Sequence, residues 1–204
     1  LASNAIASFA EGSGDDVWIG TFNGLNKWDG EKGHFIHLSA KDVGLNDDRI
    51  MSLYQHKNLL WVGTMIGGVN LLQNDELVAI MKHDPFDANS VSSNAISRIY
   101  VDQHDDVWVT TYGNGVNRYL GEGAFERFPT GQLNGEFSEL KTVDIIEDDD
   151  GRMWIATDGG GIVVLDPETG ETEIFRHDPS DDRTISSDNV ISLLNEGGVI
   201  WAGT

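Results

Sequence analysis

At 204 residues, with 39% hydrophobic content, 24 Gly and only four Pro, the chain can build one sizeable core and does not have the composition of a disordered segment. Its 34 acidic residues against 13 basic ones leave a net charge of −21, which argues against a basic nucleic-acid-binding face and against docking to anionic lipid. The absence of Cys rules out disulfides and thiolate zinc sites, and no apolar stretch approaches the ~18 residues a membrane helix needs.

Internal repetition comes first, because missing it would misassign the whole fold. Aligned on one tryptophan, the copies read Val17-Trp18-Ile19-Gly20-Thr21, Leu60-Trp61-Val62-Gly63-Thr64, Val107-Trp108-Val109-Thr110-Thr111, Met153-Trp154-Ile155-Ala156-Thr157 and Ile200-Trp201-Ala202-Gly203-Thr204. The Trp spacings are 43, 47, 46 and 47, and five of the six tryptophans fall in this frame. The repeats occupy approximately 1–44, 45–90, 91–137 and 138–184, with a partial copy at 185–204.

Each copy predicts four strands, a to d. A small polar lead opens strand a, as in Ser3-Asn4-Ala5-Ile6, Asp47-Asp48-Arg49-Ile50, Ser93-Asn94-Ala95-Ile96 and Asp188-Asn189-Val190-Ile191; the fourth copy is looser, with Leu140-Lys141-Thr142-Val143. A turn of Asp and Gly follows (Gly14-Asp15-Asp16, His104-Asp105-Asp106, Asp149-Asp150-Gly151, Gly197-Gly198), and these residue types tolerate the positive φ of a short hairpin. Strand b carries the Trp and ends at Thr. A Gly-rich turn (Asn23-Gly24, Gly67-Gly68, Gly113-Asn114-Gly115, Gly159-Gly160-Gly161) leads to strand c, and a further turn such as Asp166-Pro167-Glu168-Thr169-Gly170 leads to strand d. No segment sustains a 3.6-residue apolar period, so helices should be few.

A lone four-stranded meander cannot bury both faces, whereas copies stacked around an axis can. The expected fold is therefore all-β: a β-propeller of four-stranded antiparallel blades, with the Trp of each blade packed against the next. The chain supplies about four and a half blades, so it is expected to be a sector of a larger ring. Its first residues, Leu1-Ala2-Ser3-Asn4, show no signal-peptide pattern and open a repeat, as a fragment boundary would.

The string Asp148-Asp149-Asp150-Gly151-Arg152-Met153-Trp154-Ile155-Ala156-Thr157, followed by Gly160-Gly161-Ile162 and Asp166-Pro167, resembles the two-component regulator propeller repeat. The closing segments His83-Asp84-Pro85 with Ser90-Val91-Ser92-Ser93-Asn94, and His177-Asp178-Pro179 with Thr184-Ile185-Ser186-Ser187-Asp188, carry the same resemblance. Departures are local: Thr110, Ala156 and Ala202 intrude near the Gly-Thr step, and the third copy lacks Asp-Pro after Phe128. The resemblance implies a non-catalytic sensor module, the extracytoplasmic (periplasmic) part of an inner-membrane receptor. The outputs of such receptors are histidine kinases, hybrid kinases or diguanylate cyclases, and some of their ligands are carbohydrates. The alternatives are a protein-binding scaffold and a propeller-fold lyase or glycosidase, between which fold cannot choose.

Within the loops, His83 and His177 sit at equivalent places, which points to a structural or turn role. The acidic run Glu147-Asp148-Asp149-Asp150-Gly151 resembles half a calcium loop but falls where each copy has a hairpin, and the turn reading is preferred. No metal, cofactor or catalytic constellation is expected. Ligand contacts are expected instead on the b–c turns, from Phe22, Asn23, Met65, Tyr112, Asn114 and Asp158, with Ile66 beside them. The d–a loops would add Asp42, Phe86, Asn89, Asp181 and Arg183. Exposed aromatics beside amides and carboxylates stack on and hydrogen-bond a sugar or other small molecule. The expected partners are such a ligand and the rest of the propeller or a second copy. Nucleic acid is not expected, and the membrane would be met only through segments outside this chain.

Overall fold

The structure, a computed structural model, describes residues 1–128 and 141–204. The expected boundary between the third and fourth copies, and Leu140 in the fourth lead, lie outside the described residues. The chain divides into two compact units, Leu1–Ile99 with Glu122–Ala124, and Tyr100–Gly121 with Phe125–Thr204.

In the first unit, β1 (Ile6–Glu11), β2 (Val17–Thr21), β3 (Gly24–Asp29) and β4 (His34–Leu38) form one sheet in that order. A four-residue helix, α1 (Ala40–Val43), leads to a second sheet of β5 (Ile50–His56), β6 (Leu59–Thr64), β7 (Val69–Gln73) and β8 (Glu76–Met81), again in chain order. Strand β9 (Ile96–Val101) crosses into the second unit and forms a sheet with β10 (Val107–Thr111), β11 (Gly115–Gly121) and β12 (Ala124–Phe128). The second unit continues with a sheet of β13 (Lys141–Glu147), β14 (Met153–Asp158), β15 (Ile162–Leu165) and β16 (Thr172–Phe175), and ends in the pair β17 (Ser192–Glu196) and β18 (Val199–Gly203). The fold is thus all-β, built of four-stranded antiparallel propeller blades.

Local chemistry sets each meander. Between β7 and β8 the two-residue loop Asn74-Asp75 has φ of 51° and 68°, the pair of positive angles that a type I′ hairpin requires. The b–c turns share one device. The buried Thr closing each strand b donates its hydroxyl to a Gly carbonyl: Thr21 to Gly24 at 2.9 Å, Thr64 to Gly68 at 3.0 Å, Thr111 to Gly115 at 3.1 Å and Thr157 to Gly161 at 2.8 Å. The same oxygens accept from the backbone N–H of Asn23, Gly67 and Gly160. Glycine is required where the chain turns back: Gly68 and Gly161 have φ of 78° and 79°, and a Cβ at either would collide with the carbonyl oxygen of Met81 or Phe175.

The core lies between consecutive sheets. In the first unit Trp18 packs with Leu25, Ile50, Leu53, Leu60 and Val62. In the second, Trp108 packs with Ile145, Met153 and Ile155, and Trp154 lies against the cluster of Val190 and Leu193. Trp18, Trp108 and Trp154 of strand b therefore pack with residues of the following blade, as the repeat predicted. The Asp of the repeat motif explains its place: Trp108 Nε1 donates to Asp102 at 2.7 Å and Trp154 Nε1 to Asp148 at 2.8 Å. Each of these carboxylates also accepts backbone N–H groups of its own hairpin, so one acid closes the turn and fixes the indole.

The departure at Ala156 has a packing cause. A Cβ on Gly20 would lie 2.6 Å from Ile50 Cγ2, and one on Gly63 would lie 2.6 Å from Ile96 Cγ2. Where the next strand a brings the smaller Val190 to this place, Ala156 stands opposite, and the two share a cluster. A Gly before the Thr is a socket for an Ile, and an Ala is a socket for a Val.

A hydrogen bond accompanies each fit. Strand a is irregular near its start, at Ile6/Ser8, Ile50/Ser52 and Thr142/Asp144. The residue past this irregularity accepts from the next strand a: Ser8 Oγ from Leu53 N at 2.9 Å, Ser52 Oγ from Ile99 N at 2.9 Å and Asp144 Oδ2 from Leu193 N at 3.0 Å. Gly63→Val should therefore overpack the Ile96 contact and cost about 1–3 kcal/mol in urea unfolding, and Ile96→Ala in the same chain should recover part of the loss.

Candidate functional site

In an antiparallel meander the b–c turns and d–a loops share one end of each sheet, and the a–b and c–d hairpins share the other. At the first end, in the first unit, the b–c backbone is stapled to the lead of a strand a. Phe22 N donates to Ala5 O at 3.2 Å, Met65 N to Arg49 O at 3.0 Å and Ile66 N to Asp47 Oδ2 at 2.9 Å. The Asn23 side chain donates to Ala2 O at 3.3 Å. The side chains of Phe22, Met65 and Ile66 remain exposed on this fixed backbone.

In the second unit Tyr112 bridges to Lys141 and Asp158 to Asn189, each on the lead of the following copy's strand a, where Phe22 and Met65 bond within their own copy. Here two predicted residues are brought together by a third that the sequence reading did not single out. Lys141 Nζ lies 5.4 Å from the Tyr112 ring centroid and 3.5 Å from Asp158 Oδ2. An aromatic face, an ammonium and a carboxylate thus stand in a row at the surface; Asn114 is exposed on the same b–c turn as Tyr112. Cation–π contacts at such exposed sites are worth about 0.5–1 kcal/mol, so Lys141 is held loosely enough to turn to a ligand.

The d–a residues divide into struts and tips. The Asp42 carboxylate accepts both the N–H and the hydroxyl of Ser39 at the start of α1, and these bonds hold its carboxyl below the ordinary value. Asp181 takes both the side chain and the amide of Arg183, which lowers its pKa likewise. Asn89 donates its backbone N–H to Asp87. Phe86 is the free tip, 97% exposed.

The two loop histidines are structural. His83 Nδ1 lies 2.9 Å from Val91 O and His177 Nδ1 lies 2.8 Å from Ile185 O. A carbonyl only accepts, so Nδ1 carries the proton in both. Their backbone N–H groups donate to Asn94 and Asp188, closing equivalent loops; the second loop frames an open cavity of about 670 Å³. Among the described residues no group of three or more His, Asp or Glu is arranged to hold a metal ion.

At the other end of the sheets the structure shows clefts that the sequence reading missed. In the first unit a cavity of about 260 Å³ is lined by Trp18, Lys27, Gln55, Asn58 and Asp75. Lys27 Nζ lies 5.2 Å from the Trp18 ring and pairs with Asp16 at 3.0 Å and Asp75 at 3.1 Å. Burial works to lower its pKa, but these two acids outweigh it and raise it. In the second unit a cavity of about 400 Å³ is lined by Asp102, His104, Arg118, Glu147, Arg152 and Asp166. Arg118 lies 5.7 Å from the Trp108 ring and 2.7 Å from Glu126. The signal was present: Lys27 and Arg118 are the cross-strand partners of their blade's Trp.

The acidic run at 147–151 is a hairpin brace. Burial works to raise the Asp148 carboxyl, but the Trp154 indole, the amides of Arg152 and Asp150 and the Arg152 charge together hold it below the ordinary value of 3.8. A lowered native pKa contributes stability that is complete above the unfolded value and is lost as pH falls through the native one. Urea unfolding should therefore give a stability that holds down to the ordinary carboxylate value and declines below it. Asp148→Ala, which strands the Trp154 N–H, should cost about 1–3 kcal/mol at neutral pH and make the acid decline shallower.

The repeat, the strand order and the braced hairpins define blades of a β-propeller. Residues 137–159 match the family model of the two component regulator propeller, and the fourth repeat of this chain is one of that kind. No curated protein matches the chain in sequence. Among solved structures it is similar to the extracellular domain named for the hybrid two component system BT3049 of B. thetaiotaomicron, with 22% identity and a TM-score of 0.85 over 100% of this chain and 28% of that one. The corresponding domain of BT4673 from the same organism gives 20% identity and a TM-score of 0.83 over 99% of this chain and 26% of that one. Virginiamycin B lyase from Staphylococcus aureus gives 17% identity and a TM-score of 0.69 over 97% of this chain and 62% of that one. These likenesses carry the fold, and the chain spans about a quarter of the two extracellular domains.

Proposed function

We propose that the chain is a non-catalytic sensing module of a bacterial membrane receptor, lying on the periplasmic side, with a kinase or cyclase output elsewhere in that receptor. The observation that carries this reading is the build of the b–c turns: backbone bonds tie Phe22, Met65, Tyr112 and Asp158 to the lead of a strand a, the Asn23 amide bonds Ala2 O, and Asn114 stands exposed beside Tyr112, while the side chains differ from copy to copy. A fixed frame with varied tips is what ligand recognition needs, because little ordering entropy is lost on binding. The likeness to extracellular domains of two component systems and the repeat match at 137–159 support the same reading. Binding rather than catalysis fits the acids of these loops, since Asp42, Asp178 and Asp181 are engaged by hydroxyl, amide or guanidinium donors of their own loops.

The ligand suited to Tyr112, Lys141 and Asp158 is a small polar molecule or oligosaccharide that stacks on the ring and accepts from the ammonium. A thermal-shift panel of neutral and uronic oligosaccharides and organic acids should contain a compound that raises the melting temperature of this chain. Tyr112→Ala and Asp158→Ala should each weaken that compound about tenfold, equal to about 1.4 kcal/mol, without lowering the melting temperature of the free chain by more than a few degrees. A panel without any shift, or a shift indifferent to both substitutions, would refute binding at these turns.

A further inference from the structure

The two clefts at the hairpin end of the sheets, one in each unit, are built from equivalent positions. Arg118 and Lys27 are the cross-strand partners of Trp108 and Trp18. Glu147 and Gln55 each stand one residue past the strand-a partner of a Trp, Ile146 opposite Trp154 and Tyr54 opposite Trp61. In the first unit this position is closed on itself: Gln55 Nε2 donates to Lys57 O at 3.1 Å within its own hairpin, beside a cavity of about 260 Å³. In the second unit the cavity is about 400 Å³, within the range of about 300–1,000 Å³ that small-molecule sites occupy. Glu147 on its wall is only 9% exposed; Oε2 accepts the Gln103 N–H at 2.8 Å, and Oε1 takes no hydrogen bond among the described residues. A Cβ at Gly151, another wall residue, would stand 3.8 Å from Oε1, which sets this oxygen against the cavity. A carboxylate so far withdrawn from water holds its charge at a cost unless a donor or a cation answers it.

We infer that this second cavity binds a small organic cation of the diamine or polyamine class, one of whose ammonium groups donates to Glu147 Oε1. The charge of the walls selects the sign of the ligand. Both arginines there are already answered, Arg118 by Glu126 at 2.7 Å and Asp106 at 3.7 Å, and Arg152 by Asp148 at 2.9 Å. Glu147, Asp166 and Glu168 have no ion pair among the described residues, so the walls keep a surplus of acid that repels an anion and draws an ammonium. A bare metal ion is not the occupant, since among the described residues no three His, Asp or Glu are arranged to hold one. The acids stand in two places, Glu147 at the end of β13 and Asp166 with Glu168 between β15 and β16. Two ammonium groups on one flexible stem answer both, each with three N–H donors for charge-assisted hydrogen bonds. This site lies at the opposite end of the sheets from the b–c turns and does not rest on binding there.

The test is isothermal titration calorimetry of this chain with putrescine and with spermidine at about 150 mM salt, where diffuse attraction to a chain of net charge −21 is largely screened. At least one of the two amines should bind at a single saturable site. Glu147→Gln keeps an acceptor for the Gln103 N–H and copies the residue at the equivalent position 55, so the chain should fold and the affinity should fall about tenfold. Glu168→Gln, on an exposed turn where folding is not at stake, should weaken binding about threefold. Glu31→Gln removes the same charge from an exposed turn of the first unit and should leave the affinity unchanged. No saturable binding of either amine at this salt would overturn the inference. So would binding indifferent to both Glu147→Gln and Glu168→Gln, or a loss on Glu31→Gln as large as that on Glu147→Gln.

Discussion

The contact on which the structure depends is the fit of one blade's strand b against the next blade's strand a. A four-stranded meander has two faces and too few residues to bury either by itself, so each sheet is stable only when its neighbour covers it. The covering is specific in size and polarity. A missing Cβ at Gly20 and Gly63 admits the Ile of the following strand, and a serine or aspartate beside the socket takes up a backbone N–H that would otherwise be buried without an acceptor. Volume and hydrogen bonding are satisfied together, and this lets one short motif recur while the residues around it drift.

The same fit governs where variation is allowed. Side chains at the sockets, the Trp and the closing Thr are committed to packing or to turn geometry. The motif acids Asp102 and Asp148 hold a hairpin and an indole at once. Outside these positions Phe22, Met65, Tyr112 and Asp158 stand on turns that all close by a Thr hydroxyl on a Gly carbonyl, three residues on at Thr21 and four at Thr64, Thr111 and Thr157. The tip residue is free to vary there because the turn is made by Thr and Gly.

Charge follows a similar division. With a net charge of −21, the chain places its cations where they answer particular acids. Lys27 sits between Asp16 and Asp75 over an indole, Arg118 sits beside Glu126 over another, and Arg183 closes on Asp181. Lys141 is held by a 3.5 Å pair to Asp158 and by the face of the Tyr112 ring.

The sequence by itself determined the repeat, the four strands of each copy, the Trp as the buried landmark and the structural role of His83 and His177. These are legible because they rest on period, on turn residues and on a large apolar side chain, all of which act locally and recur. It also picked out the b–c tips, since they are the places where aligned copies disagree. Tertiary structure alone decided the rest. That Ala156 replaces glycine to suit the strand facing it could not be seen along the chain, because the matched residues are some 30 positions apart. Lys141 beside Tyr112 and Asp158, and the cations over Trp18 and Trp108, likewise depend on which side chains the pleat turns to one face. Residues on neighbouring strands meet through the sheet and not through sequence order, so the partners of a side chain become known only when the strands are paired.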